Sequence, residues 1–358
     1  MIQRTATLVE ARSAEPQSAM PPRTLTHAPV AQPERWQSLL ASAINSPEAL
    51  LRAVDLDPVE WLDGAERGHR LFPVLVPNPY LQRIRPGDPN DPLLRQVLPL
   101  GEEVKTPPGY SPDPLEERDA SPVRGLIQKY RSRALLMVTG QCAINCRYCF
   151  RRSFPYGEHS LSPQDRQQVL ETLAADTALN EVILSGGDPL AVNDRLLSQW
   201  LDAIASVPHI RRLRIHSRLP VVIPQRVTPA LLAALSASRL KVVLVVHINH
   251  PQEIDADLTA AMAQLRDAGV TLLNQSVILR GVNDHADTLE ALSERLFDAG
   301  ILPYYLHAFD PVQGAAHFDV ADANAVALMA ELRTRLPGFL LPRLVRELPG
   351  QPSKTPLD

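Results

Sequence analysis

The stretch Ala134-Leu-Leu-Met-Val138-Thr139-Gly140-Gln141-Cys142-Ala-Ile-Asn-Cys146-Arg-Tyr-Cys149 decides the architecture. Its first five residues are an unbroken apolar run, long enough for a buried strand and short for a helix. The polar residues that follow end the strand and lead into three cysteines spaced C-x3-C-x2-C. All the cysteines of the 358-residue chain lie within these eight positions, which excludes a disulfide framework. Three thiolates on one loop can hold three corners of a [4Fe-4S] cubane and leave the fourth iron open to another ligand. Two other readings stay open on the residues alone. A structural zinc would draw its fourth ligand from nearby His159, and a plain electron-transfer cluster would ordinarily show a fourth cysteine.

Outward from this stretch, short apolar runs alternate with amphipathic segments. Strands are expected at Ala134–Val138, Glu181–Leu184, Leu213–Ile215, Val242–Val246, Thr271–Val277, Tyr304–Leu306 and Phe339–Val345, with helices between them such as Leu258–Ala268. This is the pattern of repeated β-α units around a parallel sheet. Six or seven strands rather than eight predict an α/β fold built as an incomplete (β/α) barrel. Six of them run straight into polar or Gly-rich residues, among them Ser185-Gly186-Gly187-Asp188, His216-Ser217-Arg218, His247-Ile-Asn249-His250 and His307-Ala-Phe-Asp310. In such barrels the active site is built at the carboxyl ends of the strands. The expected divisions are a flexible arm over residues 1–30, a helical N-terminal region over 31–125 with one helix from Trp36 to Val54, the barrel over 126–336, and a C-terminal strand and lysine segment over 337–358.

Composition narrows the partners. A net charge of −4 argues against a broad nucleic-acid surface, and no apolar run approaches the roughly 20 residues that cross a membrane. The N-terminus carries no continuous apolar leader. A cytoplasmic enzyme acting on a small molecule is expected.

The cysteine loop after the first strand resembles the radical S-adenosylmethionine superfamily. The longer stretch Cys142-Ala-Ile-Asn-Cys146-Arg-Tyr-Cys149-Phe-Arg-Arg resembles its lysine 2,3-aminomutase branch. So do Asp88-Pro-Asn-Asp-Pro, Ser185-Gly-Gly-Asp188-Pro, His247-x-Asn249-His250-Pro, Asn274-Gln-Ser-Val, Arg280-Gly-Val-Asn-Asp284, Pro303-Tyr-Tyr and Lys354-Thr-Pro, in family order from about residue 35 to the end. The resemblance implies a radical SAM type of partial barrel whose cofactors are a [4Fe-4S] cluster on Cys142, Cys146 and Cys149, S-adenosyl-L-methionine and pyridoxal 5'-phosphate. It implies migration of the amino nitrogen of L-lysine from carbon 2 to carbon 3.

Carried over residue by residue, the resemblance puts the pyridoxal phosphate on Lys354, with Tyr130 against its ring and Arg133 on its phosphate. Position within the pattern also favours Lys354 among the four lysines: Lys105 lies in a Pro-rich loop, Lys129 precedes the first strand and Lys241 opens one at its far end. Gln351, Pro352 and Ser353 stand where the family often has glycines. Ser185, Gly186, Gly187, Asp188, His247 and Gln275 match the face that contacts S-adenosylmethionine. Arg151 matches the arginine on the substrate carboxylate, and Asp310 and Glu347 match two acidic positions on the substrate's distant ammonium, the second being aspartate in the family. Two carboxylates there favour lysine over glutamate. The chain carries His285 where clostridial forms have a cysteine, and so resembles the short bacterial form that supplies (R)-β-lysine to a ligase acting on translation elongation factor P. An electron donor such as flavodoxin or ferredoxin is implied. A catabolic lysine or glutamate 2,3-aminomutase, or a radical enzyme without pyridoxal phosphate, are the alternatives.

Overall fold

The computed structural model describes residues 35–156 and 161–358, so the expected arm over 1–30 lies outside the described residues. Nine strands form one sheet in strict chain order: β1 Leu126–Tyr130, β2 Arg133–Thr139, β3 Glu181–Gly186, β4 Arg212–Ser217, β5 Lys241–His247, β6 Thr271–Val277, β7 Leu302–His307, β8 Arg343–Arg346 and β9 Thr355–Pro356. Strands β2 to β8 pair in parallel, each through a helical crossover, and among the described residues no pairing joins β9 back to β1. The barrel is incomplete, as six or seven expected strands rather than eight predict.

Both ends of the sheet depart from the sequence pattern. Strand β1 turns back on β2 and β9 turns back on β8, both antiparallel. The apolar run at Phe339 does not open the last parallel strand: Gly338–Leu340 is a 3-10 turn, and pairing starts at Arg343. Of that run Leu340 is buried from the turn, while Phe339 is exposed.

The expected helix from Trp36 to Val54 is two helices, α1 Trp36–Ala41 and α2 Pro47–Ala53. Pro47 has no N–H to donate and its ring clashes with a preceding helical turn, so it starts a helix rather than continuing one. Ser46 caps that start by accepting from Ala49 N at 3.3 Å. A third helix, α3 Pro58–Leu71, follows. Trp36, Leu50, Leu51, Leu93 and Leu94 belong to the same buried cluster as Leu136, Leu184, Ile215 and Leu244 of the strands. The described residues therefore pack as one compact unit, with the N-terminal helices laid against the barrel.

Candidate active site

Each parallel strand ends at one rim, and the rim encloses a cavity of about 490 Å³. Cys142, Cys146 and Cys149 line it, together with Tyr130, Arg133, Arg151, His247, Gln275, Asp310, Glu347 and Lys354. The cofactor and substrate residues carried over from the resemblance thus all line one cavity, Ser185 to Asp188 included.

The cysteine loop is clamped from below by the N-terminal helices. Arg147, fully buried, donates from Nε to Glu103 Oε1 at 2.9 Å and from its terminal nitrogens to the carbonyls of Phe72 and Gly68, at 2.6 and 3.1 Å. Arg152 meets the same Glu103 at 2.5 Å, and Asn145 donates to the Pro73 carbonyl at 3.0 Å. Glu103 is held below the usual carboxylate range: burial pushes it up, and the two arginines outweigh that. Burial pushes the Cys142 thiol well up and the Cys149 thiol up to about 11, so a bound cation is what turns them into thiolates. Among the described residues no three His, Cys, Asp or Glu side chains converge on a single ion, as a mononuclear zinc site demands, whereas cubane ligands each take a separate iron. His159, the fourth zinc ligand weighed above, lies outside the described residues.

The Ser185-Gly-Gly-Asp188 turn serves this loop directly. Gly186 sits at φ +125° and a Cβ there would stand 2.2 Å from the Thr139 carbonyl oxygen; one on Gly187 would stand 2.4 Å from that of Gln141. The two glycines admit the cysteine-loop backbone, not only a ligand. Asp188 is also more occupied than its motif suggests: its carboxylate accepts from Ser217 Oγ at 2.7 Å and from the backbone N–H of Leu190, Arg218 and Leu219 at 3.0, 2.8 and 2.8 Å. It fastens the ends of β3 and β4 together. Beside it, burial and the nearby Arg218 and Arg151 depress His247 to about 3, so the ring is neutral and its Nε2 accepts from the Gln275 amide at 2.7 Å. Nε2 of His216 and Nε of Arg218 are buried without a protein partner, and both residues line the cavity. Unpaired buried polar atoms of this kind call for polar ligand atoms, which fits a cluster and a charged cofactor.

The opposite end is a relay of charges. Arg151 grips Glu117 in a two-pronged pair at 2.6 and 2.9 Å and donates to Ser185 Oγ at 3.0 Å. Glu117 meets Lys129 at 3.1 Å, Lys129 meets Glu347 at 2.8 Å, and Glu347 pairs with Lys354. Against the upward push of burial, Lys354 and Lys129 bring Glu347 down to about 2. Burial and the Glu347 charge raise Asp310 to about 7. Arg133 lies with its guanidinium 4.0 Å from the Tyr130 ring centre. Lys354 Nζ lies 5.9 Å from the Tyr305 ring centre, and Tyr305 also lines the cavity. A reactive amine, an arginine for a phosphate and aromatic faces are what pyridoxal phosphate requires.

The sequence reading assigned no place in the site to Lys129, Glu117 or Arg218. Lys129 does precede the first parallel strand, but it stands in β1 and shares Glu347 with Lys354, so placement along the sheet does not by itself separate the two lysines. Glu117 lies in a short 3-10 turn with no motif around it. Arg218 was visible only as one more polar residue at a strand end.

Among the described residues no helix is long and apolar enough to cross a membrane. The radical SAM superfamily model matches residues 136–292. The chain is 52% identical over 325 residues to an L-lysine 2,3-aminomutase of Escherichia coli K12, covering 91% of this chain and 95% of that protein. Proteins of the same name from Haemophilus influenzae and Buchnera aphidicola are 46% and 45% identical, covering 93% and 90% of this chain and 98% and 94% of theirs.

Proposed function

The chain belongs to the lysine 2,3-aminomutase family of radical S-adenosylmethionine enzymes, and from that premise we propose that it converts L-lysine to β-lysine in the cavity at the strand ends. The observation that carries this reading is the joint lining of one cavity by the three cysteines, Lys354, and groups of both charges suited to an amino acid with a cationic side chain. When bound, the cluster with S-adenosylmethionine supplies the one-electron chemistry that removes hydrogen from an unactivated carbon, and pyridoxal phosphate supplies the conjugated system through which nitrogen migrates.

The chain's own residues hold and orient. Cys142, Cys146 and Cys149 hold the cluster. Ser185, Gly186, Gly187, His247 and Gln275 line the S-adenosylmethionine side, where a neutral His247 presents no competing positive charge. Lys354, Tyr130 and Arg133 hold pyridoxal phosphate. Arg151 offers the fork that fits the substrate carboxylate, which replaces Glu117 there, and Asp310 with Glu347 receives the distant ammonium. An ammonium beside Asp310 lowers its proton affinity and makes the second carboxylate ionise.

At a finer level the product is (R)-β-lysine, made in the cytoplasm with electrons from a flavodoxin or ferredoxin and passed to the ligase that modifies elongation factor P. The support is the resemblance to the short bacterial form together with the 45–52% identity to its bacterial relatives. The test is an anaerobic assay of reconstituted protein with dithionite, S-adenosylmethionine, pyridoxal phosphate and L-lysine, with L-glutamate in parallel, read by chiral chromatography. β-Lysine from lysine alone is expected, in the (R) form. Cofactor cleavage without any β-amino acid would overturn the substrate and leave the radical chemistry standing. The (S) form would overturn the elongation-factor role alone.

A further inference from the structure

The three cysteines differ in what surrounds their sulfurs. Cys149 takes a backbone hydrogen bond from Arg151. Cys146 Sγ accepts from the guanidinium of Arg218, at 2.7 Å. Arg218 follows β4 directly and reaches across to a loop 72 residues earlier in the chain. It is held there without slack. Its backbone N–H is tied to Asp188, and its other terminal nitrogen donates to Gln96 Oε1 at 2.7 Å and Glu253 Oε2 at 2.8 Å. The rings of Tyr80 and Tyr148 flank it at 5.4 and 5.7 Å. Glu253 is fixed in turn: its Oε1 accepts from Asn249 N at 2.9 Å and His250 N at 3.1 Å. Arg218 is 6% exposed and Glu253 is fully buried, so water screens neither charge.

A cationic N–H donor draws electron density from a ligating sulfur and stabilises the state that carries one more negative charge. Hydrogen bonds to sulfur, net charge and burial are the protein's means of setting a cluster's reduction potential. Glu253 opposes Arg218 in sign and partly cancels it. We propose that Arg218 is a positioning residue for the cluster, raising its reduction potential through Cys146, and that Glu253 limits how far. The inference rests on the cofactor assignment above. It makes the Asp188 motif a device for placing Arg218.

The test is an EPR-monitored redox titration of the anaerobically reconstituted full chain, with iron and sulfide content measured in parallel. Arg218→Gln is expected to lower the midpoint until the reduced-to-oxidised ratio at a fixed potential falls about tenfold, equivalent to about 59 mV for a one-electron couple. Arg218→Lys keeps the charge and should recover most of the loss. Glu253→Gln leaves the guanidinium uncompensated and should move the midpoint the opposite way. Fully loaded variants with unmoved midpoints, or midpoints that move in one direction together, would overturn the proposal, because simple loosening has no sign. If Arg218→Gln holds no cluster, Glu253→Gln decides: a raised midpoint supports the role, and an unchanged or lowered one refutes it. A wild-type chain that assembles no [4Fe-4S] cluster would sink the cofactor assignment with it.

Discussion

The two ends of the cavity use charge in opposite ways. At the cluster end, Arg147, Arg152 and Arg218 are buried and paired to Glu103 and Glu253, and their remaining donors go mainly to backbone carbonyls and buried side chains. Those pairs have no reason to exchange. At the amino-acid end, Arg151, Glu117, Lys129, Glu347 and Lys354 pair with one another in series, and the groups expected to meet substrate and cofactor are the ones already paired. The protein fixes the cluster end by burying paired arginines and glutamates. It keeps the reacting end competent by letting charged side chains stand in for the ligand's own charges.

The largest expected effect falls on one end alone. Lys354→Ala should reduce β-lysine formation to background and abolish fixation of pyridoxal phosphate by borohydride at that position, while iron content and S-adenosylmethionine binding stay at wild-type levels. Peptide mapping of the wild-type adduct should find Lys354; an adduct on Lys129 would reverse the assignment of the two lysines. Loss of iron from the Lys354→Ala protein would break the separation of the two ends.

Glu103→Gln addresses the cluster end. It leaves Arg147, fully buried, and Arg152 without their anion, and breaking a buried pair costs about 3–5 kcal/mol. A markedly lowered Tm with reduced iron retention is expected; a Tm near the wild type's would show that the network is not what holds the loop.

Asp310→Asn is the gentlest. Losing a charge-assisted bond to the substrate ammonium costs about 1.5–3 kcal/mol, or about 10- to 150-fold in kcat/KM for lysine. The pH dependence has a definite sign. Between the ordinary value of 3.8 and about 7 the folded chain keeps a proton on Asp310 that the unfolded chain has lost. Stability of the ligand-free protein from this group is therefore full below 3.8 and is lost as pH rises through about 7. Over the same upper range kcat/KM for lysine should rise, as the carboxylate forms. Both slopes should flatten in Asp310→Asn, measured by thermal melts and initial rates across pH; unchanged slopes would assign the titration to another group.

What the sequence disclosed and what it hid follow from distance along the chain. The parallel strands and the cysteine loop are local patterns, readable from short apolar stretches between amphipathic segments and a fixed thiol spacing. The antiparallel edges were hidden because β9 is two residues long and β1 lacks a distinctive alternation. Charge partners were hidden for a different reason: Lys129 meets Glu347 across 218 residues, and Arg147 meets Glu103 across 44, so neither pair leaves a periodic trace. Family resemblance pointed to Arg151 and Glu347 but not to the side chains that hold them. Arg218 left one usable sign, its place at a strand's carboxyl end.

Glu347 directly follows β8 and Lys354 directly precedes β9, at the two ends of one hairpin loop between strands whose register pairs Val345 with Pro356 and Arg346 with Thr355. The gap between the proposed cofactor amine and the proposed carboxylate for the substrate's far end thus runs along one backbone ladder at the edge of the barrel sheet. Residues 343–358 carry both groups on one hairpin, so exchanging that hairpin between relatives should move the two as a pair.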